Sequence, residues 1–370
     1  MTLAIILVAV LCLAFANGAN DNFKGVATLF GSGTTDYRRA LAWATITTFL
    51  GSATALLLAE KLLKSFSGKG LVSDALASNA DYGAAVALGA GLTVLLATRI
   101  GMPISTTHGL VGALVGAGLS AGSVISYERL GAGFFLPLLV SPLLALGGTI
   151  LLYPMFRWTR NRLGITSSTC LCLGNEVLET VPSSSHAIAI QKAEQLSVNI
   201  GDVVDCRNQY EGYVMGVEAA AVLDRCHYLS AGMVSFARGL NDTPKIAAML
   251  LLAPQFGTFS STALVGVVIA IGGIVSARKV AETMSEKITK MNHGQGFTAN
   301  LITGAIVIGA SRLGMPVSTT HVSCGSIFGI GSVTRQAHWG MIAKILLAWV
   351  TTLPVGAAFG ASCYWAISSL

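Results

Sequence analysis

The chain predicts an all-α integral membrane protein of two inverted-topology repeats, with broken helices, two re-entrant helical hairpins and a small β-rich cytoplasmic insert between the halves. Three observations carry that expectation: an apolar composition with long charge-free runs, two polar motifs that each occur twice in the same order, and one polar stretch midway along the chain.

Of the 370 residues, 53% are hydrophobic, only 11% are charged and 42 are glycine, a composition too apolar for a soluble domain of this length. Ala40–Ala59, Ala132–Phe156 and Phe259–Ala277 carry no charge, and about 20 such residues suffice to cross roughly 30 Å of hydrocarbon. The lipid bilayer is therefore the first partner implied. Met1–Ala16 lacks a basic leader region and runs straight into the polar stretch Asn17–Lys24, so it reads as a retained first helix. Glycines in Gly83–Gly91 and Gly109–Gly122 suit close helix packing. The net charge of +6 forms no clustered basic stripe, which argues against nucleic acid as a partner, and the seven cysteines give no readable disulfide framework.

The first duplicated motif is FANGANDNFK, Phe15–Lys24, against FARGLNDTPK, Phe236–Lys245; its aspartates Asp21 and Asp242 lie 221 positions apart. The second is TRIGMPISTTH, Thr98–His108, against SRLGMPVSTTH, Ser311–His321, at an offset of 213. A weaker match links Leu58–Lys61 to Val280–Thr283. Common ancestry of two halves kept for packing accounts for the glycines and alanines between the motifs. It does not account for ionisable groups at membrane depth, which mark substrate or ion pathways.

An outside amino terminus puts the basic clusters Asp36–Arg39, Arg157–Arg162 and Arg278–Lys290 in the cytoplasm, as the positive-inside rule requires, while Lys61, Lys64 and Lys69 fall outside. The two halves then enter from opposite sides. The expected divisions are 1–160, the first membrane repeat; 161–216, the polar insert; and 217–370, the second repeat. Alternating runs such as His186–Gln191 and the turn Asn199–Asp202 make the insert β-rich. Cys170, Cys172, Cys206 and His186 do not have the spacing of a zinc site.

Met102-Pro103 and Met315-Pro316 interrupt apolar segments, and proline after glycine ends one helix and suits the first turn of the next. Ser105, Thr106 and Thr107, with Ser318, Thr319 and Thr320, then lie at helix amino termini, where free N–H groups and the positive dipole end attract an anion. Capping explains one hydroxyl per site and leaves the others over. Phe297–Ser311 and Val322–Thr334 are each shorter than a normal span, as the arms of re-entrant hairpins are. Two such hairpins meeting near the midplane are typical of secondary transporters.

Asn20 and Asp21, with Asn241 and Asp242, offer the hard oxygens that a sodium ion or a proton relay requires. Gly18, Gly239 and Pro244 favour unwound backbone beside them. Lys24 and Lys245 either neutralise these aspartates or reach the anion. Arg99 and Arg312 suit either an oxyanion or a carboxylate. His108 and His321 read either as groups titrating near neutral pH or as hydrogen-bonded structural histidines.

These residues resemble the inorganic phosphate transporter family, on GANDNFKGVA at Gly18–Ala27, GLNDTPK at Gly239–Lys245, EKITKM at Glu286–Met291, GFTA at Gly296–Ala299 and both GMPxSTTH blocks. The resemblance covers nearly all of the chain outside the insert. It implies a multi-pass plasma-membrane protein of about 12 membrane segments, commonly a homodimer, that imports inorganic phosphate with co-transported sodium or protons and uses no cofactor. It further implies phosphate at Ser105, Thr106, Thr107, Ser318, Thr319 and Thr320, and the cation, sodium if the protein is sodium-coupled, at Asn20, Asp21, Asn241 and Asp242. Animal members look to have a glutamate where alignment on Gly51 places Thr48, with Ala270 at the matching place in the second half. The alternatives are a sulfate permease of the same family, an intramembrane enzyme using Ser or Thr with a histidine base, and a membrane receptor. Duplication argues against the enzyme, which needs only one such constellation.

Overall fold

The computed structural model describes residues 2–66, 68–182, 188–202, 215–252 and 255–369. Helix α1, Thr2–Asp21, carries Asn17–Asp21 as its last turn, narrows to a 3-10 turn over Asn22–Val26 and continues as a short helix, Ala27–Gly31. Helix α2, Tyr37–Leu58, starts at Asp36, whose carboxylate accepts the Arg39 N–H at 3.0 Å. Helices α3, Ala80–Arg99, and α4, Thr106–Ser120, form a hairpin, and α5, Leu136–Arg162, is entered through a π-helical turn, Gly131–Phe135. The second half follows the same order: α6, Ala219–Leu250; α7, Thr258–Ser276; the hairpin α8, His293–Leu313, with α9, Thr319–Thr334; and α10, Trp339–Ser368.

Among the described residues, seven helical stretches are long and apolar enough to cross a membrane: Leu3–Gly31, Tyr37–Leu58, Ala80–Arg99, Tyr127–Arg162, Thr258–Ser276, His293–Leu313 and Trp339–Ser368. Helix α6 has the length but carries Asp224, Arg225, Arg238, Asp242 and Lys245; α4 and α9 have only 15 and 16 residues. The long hairpin arm of the second half is fuller than the sequence suggests. Asn292 caps it, with Gln295 completing a reciprocal capping box, so α8 gains a turn before Phe297 and reaches 21 residues. Only the carboxyl-terminal arms are short. Leu139, Leu143, Leu144 and Leu151 on α5, and Leu347, Val350 and Trp365 on α10, are well exposed, an apolar surface that suits lipid rather than water.

Residues 1–153 and 227–370 form one compact unit. Inside it the halves interlock through glycines where backbones approach closely. A methyl group on Gly18 of α1 would sit 2.0 Å from the Ile269 carbonyl oxygen of α7, and one on Gly239 of α6 would sit 2.1 Å from that of Thr48 on α2. The short hairpin arms do the same, Gly112 of α4 against Leu353 of α10 and Gly325 of α9 against Pro142 of α5. This corrects the expectation of unwound backbone. Helix α6 runs unbroken through Gly239 and Pro244, because its glycine serves helix contact rather than a break.

Residues 154–226 form the other unit. In it β1, Thr169–Pro182, pairs antiparallel with both β2, Ile188–Asp202, and β3, Met215–Glu218, in the order β2-β1-β3. Cys172 in β1 is disulfide-bonded, a bond the sequence spacing does not indicate, while Cys170 is a free thiol. His186 and Cys206 lie outside the described residues.

Candidate functional site

Each hairpin turn is built by the same local code. Gly101 and Gly314 take left-handed backbone, with φ of 71° and 74°, which closes α3 and α8. The N–H of Met102 donates to Ala97 O and that of Met315 to Ala310 O, both at 2.9 Å, the reverse-turn pattern that satisfies the last helical carbonyls. The glycine makes the stop, and Pro103 and Pro316 lie outside both helices rather than in the first turn of the next. Helix restarts at Thr106 and Thr319, where Ser105 Oγ accepts the His108 N–H at 3.1 Å and Ser318 Oγ accepts the His321 N–H at 3.2 Å. The two serines are thus caps. Ser105→Ala and Ser318→Ala are each expected to lower stability by about 1 kcal/mol, readable as a lower melting temperature in detergent.

The threonines are placed differently. Thr106 Oγ1 donates to Asp21 Oδ2 at 3.0 Å and Thr319 Oγ1 to Asp242 Oδ2 at 3.5 Å. Thr107 Oγ1 donates across to Val317 O of the other hairpin at 3.4 Å, and Thr320 Oγ1 donates back to Ile104 O at 2.8 Å. The two tips therefore hold one another, each by the second threonine of its triplet.

The lysines complete the crossing. Lys24 Nζ donates to Asp21 Oδ1, to Asn20 Oδ1 and Ile104 O at 2.8 Å, and to Thr320 Oγ1 of the opposite hairpin at 2.7 Å. Lys245 Nζ donates to Val317 O at 2.7 Å, to Asp242 Oδ1 at 3.4 Å and to Thr107 Oγ1 of the opposite hairpin at 2.8 Å. Of the two roles open to them, the lysines are found on the aspartates. Asn20 Nδ2 donates to Thr98 Oγ1 at 2.9 Å, and Asn241 Oδ1 accepts from Ser311 Oγ at 3.3 Å. All of these side chains are buried.

Two members of the cluster escape a motif-based reading. Asn17 Nδ2 lies 2.9 Å from Asp21 Oδ2, 3.0 Å from Thr106 Oγ1 and 3.4 Å from Asp242 Oδ2, so it bridges both carboxylates. Arg238, only 1% exposed, donates to Asn17 Oδ1 at 3.2 Å and Asn22 Oδ1 at 3.0 Å, with Nε 3.9 Å from Asp242 Oδ2. Asn17 and Arg238 occupy the same place in FANGAND and FARGLND. A neutral amide facing a charged guanidinium at one place of a duplicated motif is the signal that marks them. Arg238 also reaches Thr48 Oγ1 at 3.5 Å.

Arg99 and Arg312 are exposed and do not join this buried cluster. They sit in the last turns of α3 and α8, where cations favour the carbonyl end of the helix dipole. His108 and His321 face each other at 4.4 Å between ring centroids, and His321 stacks on Trp349 at 3.7 Å. Trp349 Nε1 donates to Pro103 O at 3.3 Å, so the histidines form a ring stack that supports the hairpin turn.

The chain matches a family model described as the phosphate transporter family over residues 17–360. It is similar to a Pyrococcus furiosus protein named as a phosphate permease, 26% identical, with 97% of this chain and 94% of that protein covered. A Bacillus subtilis protein named as a low-affinity inorganic phosphate transporter is 24% identical, with 99% and 97% covered. A solved structure of a sodium-dependent phosphate transporter is similar at a TM-score of 0.77 and 22% identity, covering 100% of this chain and 99% of that one. At that identity the likeness is one of fold.

Proposed function

We propose, from the premise that this chain belongs to the phosphate transporter family, that it is a multi-pass secondary transporter importing inorganic phosphate with a cation, sodium or proton. It is a transporter and not an enzyme. The observation that carries the proposal is the reciprocal crossing at the hairpin tips, where Thr107 meets Lys245 and Thr320 meets Lys24. Phosphate is assigned to Ser105, Thr106, Thr107, Ser318, Thr319 and Thr320 at two facing helix starts, the serines acting through the capped N–H groups that they order. The cation is assigned to Asn20, Asp21, Asn241 and Asp242.

Electrostatics support an anionic cargo. Lys24, Lys245 and Arg238 set three formal positive charges against the two of Asp21 and Asp242, a surplus beside the two positive helix ends. The halves are read as inverted repeats because the basic clusters Arg157–Arg162 and Arg278–Lys290 then both face the cytoplasm. The reading also includes a homodimer in the plasma membrane and a cytoplasmic sheet.

Purified protein in liposomes is expected to accumulate labelled phosphate when a sodium or proton gradient is imposed, and to leave labelled sulfate outside. Sulfate uptake without phosphate uptake would replace the proposed substrate, and no flux of either anion would remove the transport reading.

A further inference from the structure

The twin lysines end inside cages of oxygen. Around Lys24 Nζ stand a carboxylate oxygen of Asp21, the amide oxygen of Asn20, the main-chain oxygen of Ile104 and the hydroxyl of Thr320. An ammonium has three N–H groups, so four surrounding oxygens amount to a coordination shell rather than one directed bond per donor. The mixture of carboxylate, amide, main-chain and hydroxyl oxygens is also what hard cations accept in exchange for water. Lys245 Nζ has three of the four counterparts, a carboxylate oxygen of Asp242, the main-chain oxygen of Val317 and the hydroxyl of Thr107, one for each of its N–H groups. Both ammonium groups are buried, with Lys24 2% and Lys245 1% exposed.

We propose that Lys24 and Lys245 are tethered cations: their ammonium groups fill the two cation positions built around Asp21 and Asp242, and phosphate transport by this chain therefore requires no sodium. The inference rests on the transport reading above and narrows its choice of coupling ion. A lysine supplies a compact point charge of the kind these oxygens neutralise, and the main chain holds it there permanently. A sodium ion entering the same shell would meet an ammonium about 4 Å away, and at an effective dielectric near 20 that repulsion lowers occupancy about a thousandfold. Arg238, paired to Asp242, adds to the repulsion in the second cage. The twin arrangement argues against an accident of one rotamer, because two lysines 221 positions apart each meet a carboxylate, a main-chain and a threonine hydroxyl oxygen at corresponding places.

The test has two readouts. In liposomes under a fixed inward pH gradient, initial phosphate uptake is expected to be equal with sodium outside and with choline replacing it. Uptake that collapses in choline overturns the proposal while leaving phosphate transport intact. Uptake absent in both media overturns the transport reading instead, and the second readout then decides. Thermal unfolding of the full chain in detergent is compared in sodium chloride and choline chloride. Wild type is expected to melt at the same temperature in both, whereas Lys24→Ala with Lys245→Ala gains a saturable, sodium-specific rise. Sodium-specific stabilisation of wild type overturns the proposal, and so does a folded double variant that ignores sodium. If the double variant does not fold, the wild-type comparison stands alone as the decision.

Discussion

Phosphate uptake in liposomes is expected to be lost in Asp21→Asn and in Asp242→Asn, and the fold weakened by roughly 3–5 kcal/mol, the cost of removing one member of a buried ion pair. Asp21 accepts from Lys24, Asn17 and Thr106, and Asp242 accepts from Lys245, Asn241 and Thr319. Asparagine keeps the shape but turns one accepting oxygen into a donor, so a lysine or threonine loses its acceptor and an ammonium is left buried without its counter-charge. The loss spreads across the crossed tips, since Lys24 also holds Thr320 and Lys245 also holds Thr107. Surface-expressed protein must be quantified beside the flux, to separate failed transport from failed insertion. Asp36→Asn serves as a control: its carboxylate is exposed and, among the described residues, pairs locally with Arg39, so uptake should be unchanged. Normal transport by both buried-site mutants at low cation concentration would remove these aspartates from the proposed cation site.

The second large effect concerns packing. Gly18→Val and Gly239→Val are expected to abolish the monodisperse folded peak on size exclusion in detergent. Overpacking a well-filled core by a few methylenes costs typically 1–3 kcal/mol when side chains can yield. Here the obstacle is a main-chain carbonyl, 2.0 Å and 2.1 Å from the added Cβ, and a carbonyl inside a helix cannot turn aside without breaking its own hydrogen bond. Alanine should already lower the melting temperature at both positions. Gly147→Ala in α5 is the comparison, since nothing lies within 4 Å of its Cβ position. That change should be neutral or stabilising by about 1 kcal/mol, the helix propensity of alanine over glycine. Equal melting temperatures for Gly18→Ala, Gly239→Ala and Gly147→Ala would show that the close approach is not structurally required.

The hairpin turns were legible because their instructions are local: a glycine for left-handed backbone, a serine three residues before the N–H it caps, and the whole block written twice. The length of α8 is hidden in the sequence because its start depends on a capping box in a polar stretch that carries no hydropathy signal. Polar residues at Asn20, Asp21, Asn241 and Asp242 announced themselves by their cost in an apolar setting. Arg99 and Arg312 misled because they stand in the motif, yet a residue at the end of a helix is carried outward by its position on the final turn. Arg238 shows the reverse case. Its role depends on meeting Asn17 from the other half, and no local rule in either sequence window contains that encounter. The unbroken course of α6 through Pro244 likewise reflects tertiary packing, which overrides a helix-breaking residue when the surrounding helices fix its path.

The glycine contacts between α1 and α7, and between α2 and α6, bear on how the protein is made. The face of α1 that carries Gly18 is covered by Ile269 and Gly273 of α7, about 250 residues later in the chain. At roughly 5–20 residues per second, the first half waits in the bilayer for on the order of tens of seconds with its closest packing surfaces uncovered. Small-residue surfaces of that kind invite other helices, so the emerging half must be shielded or kept dispersed until its counterpart arrives.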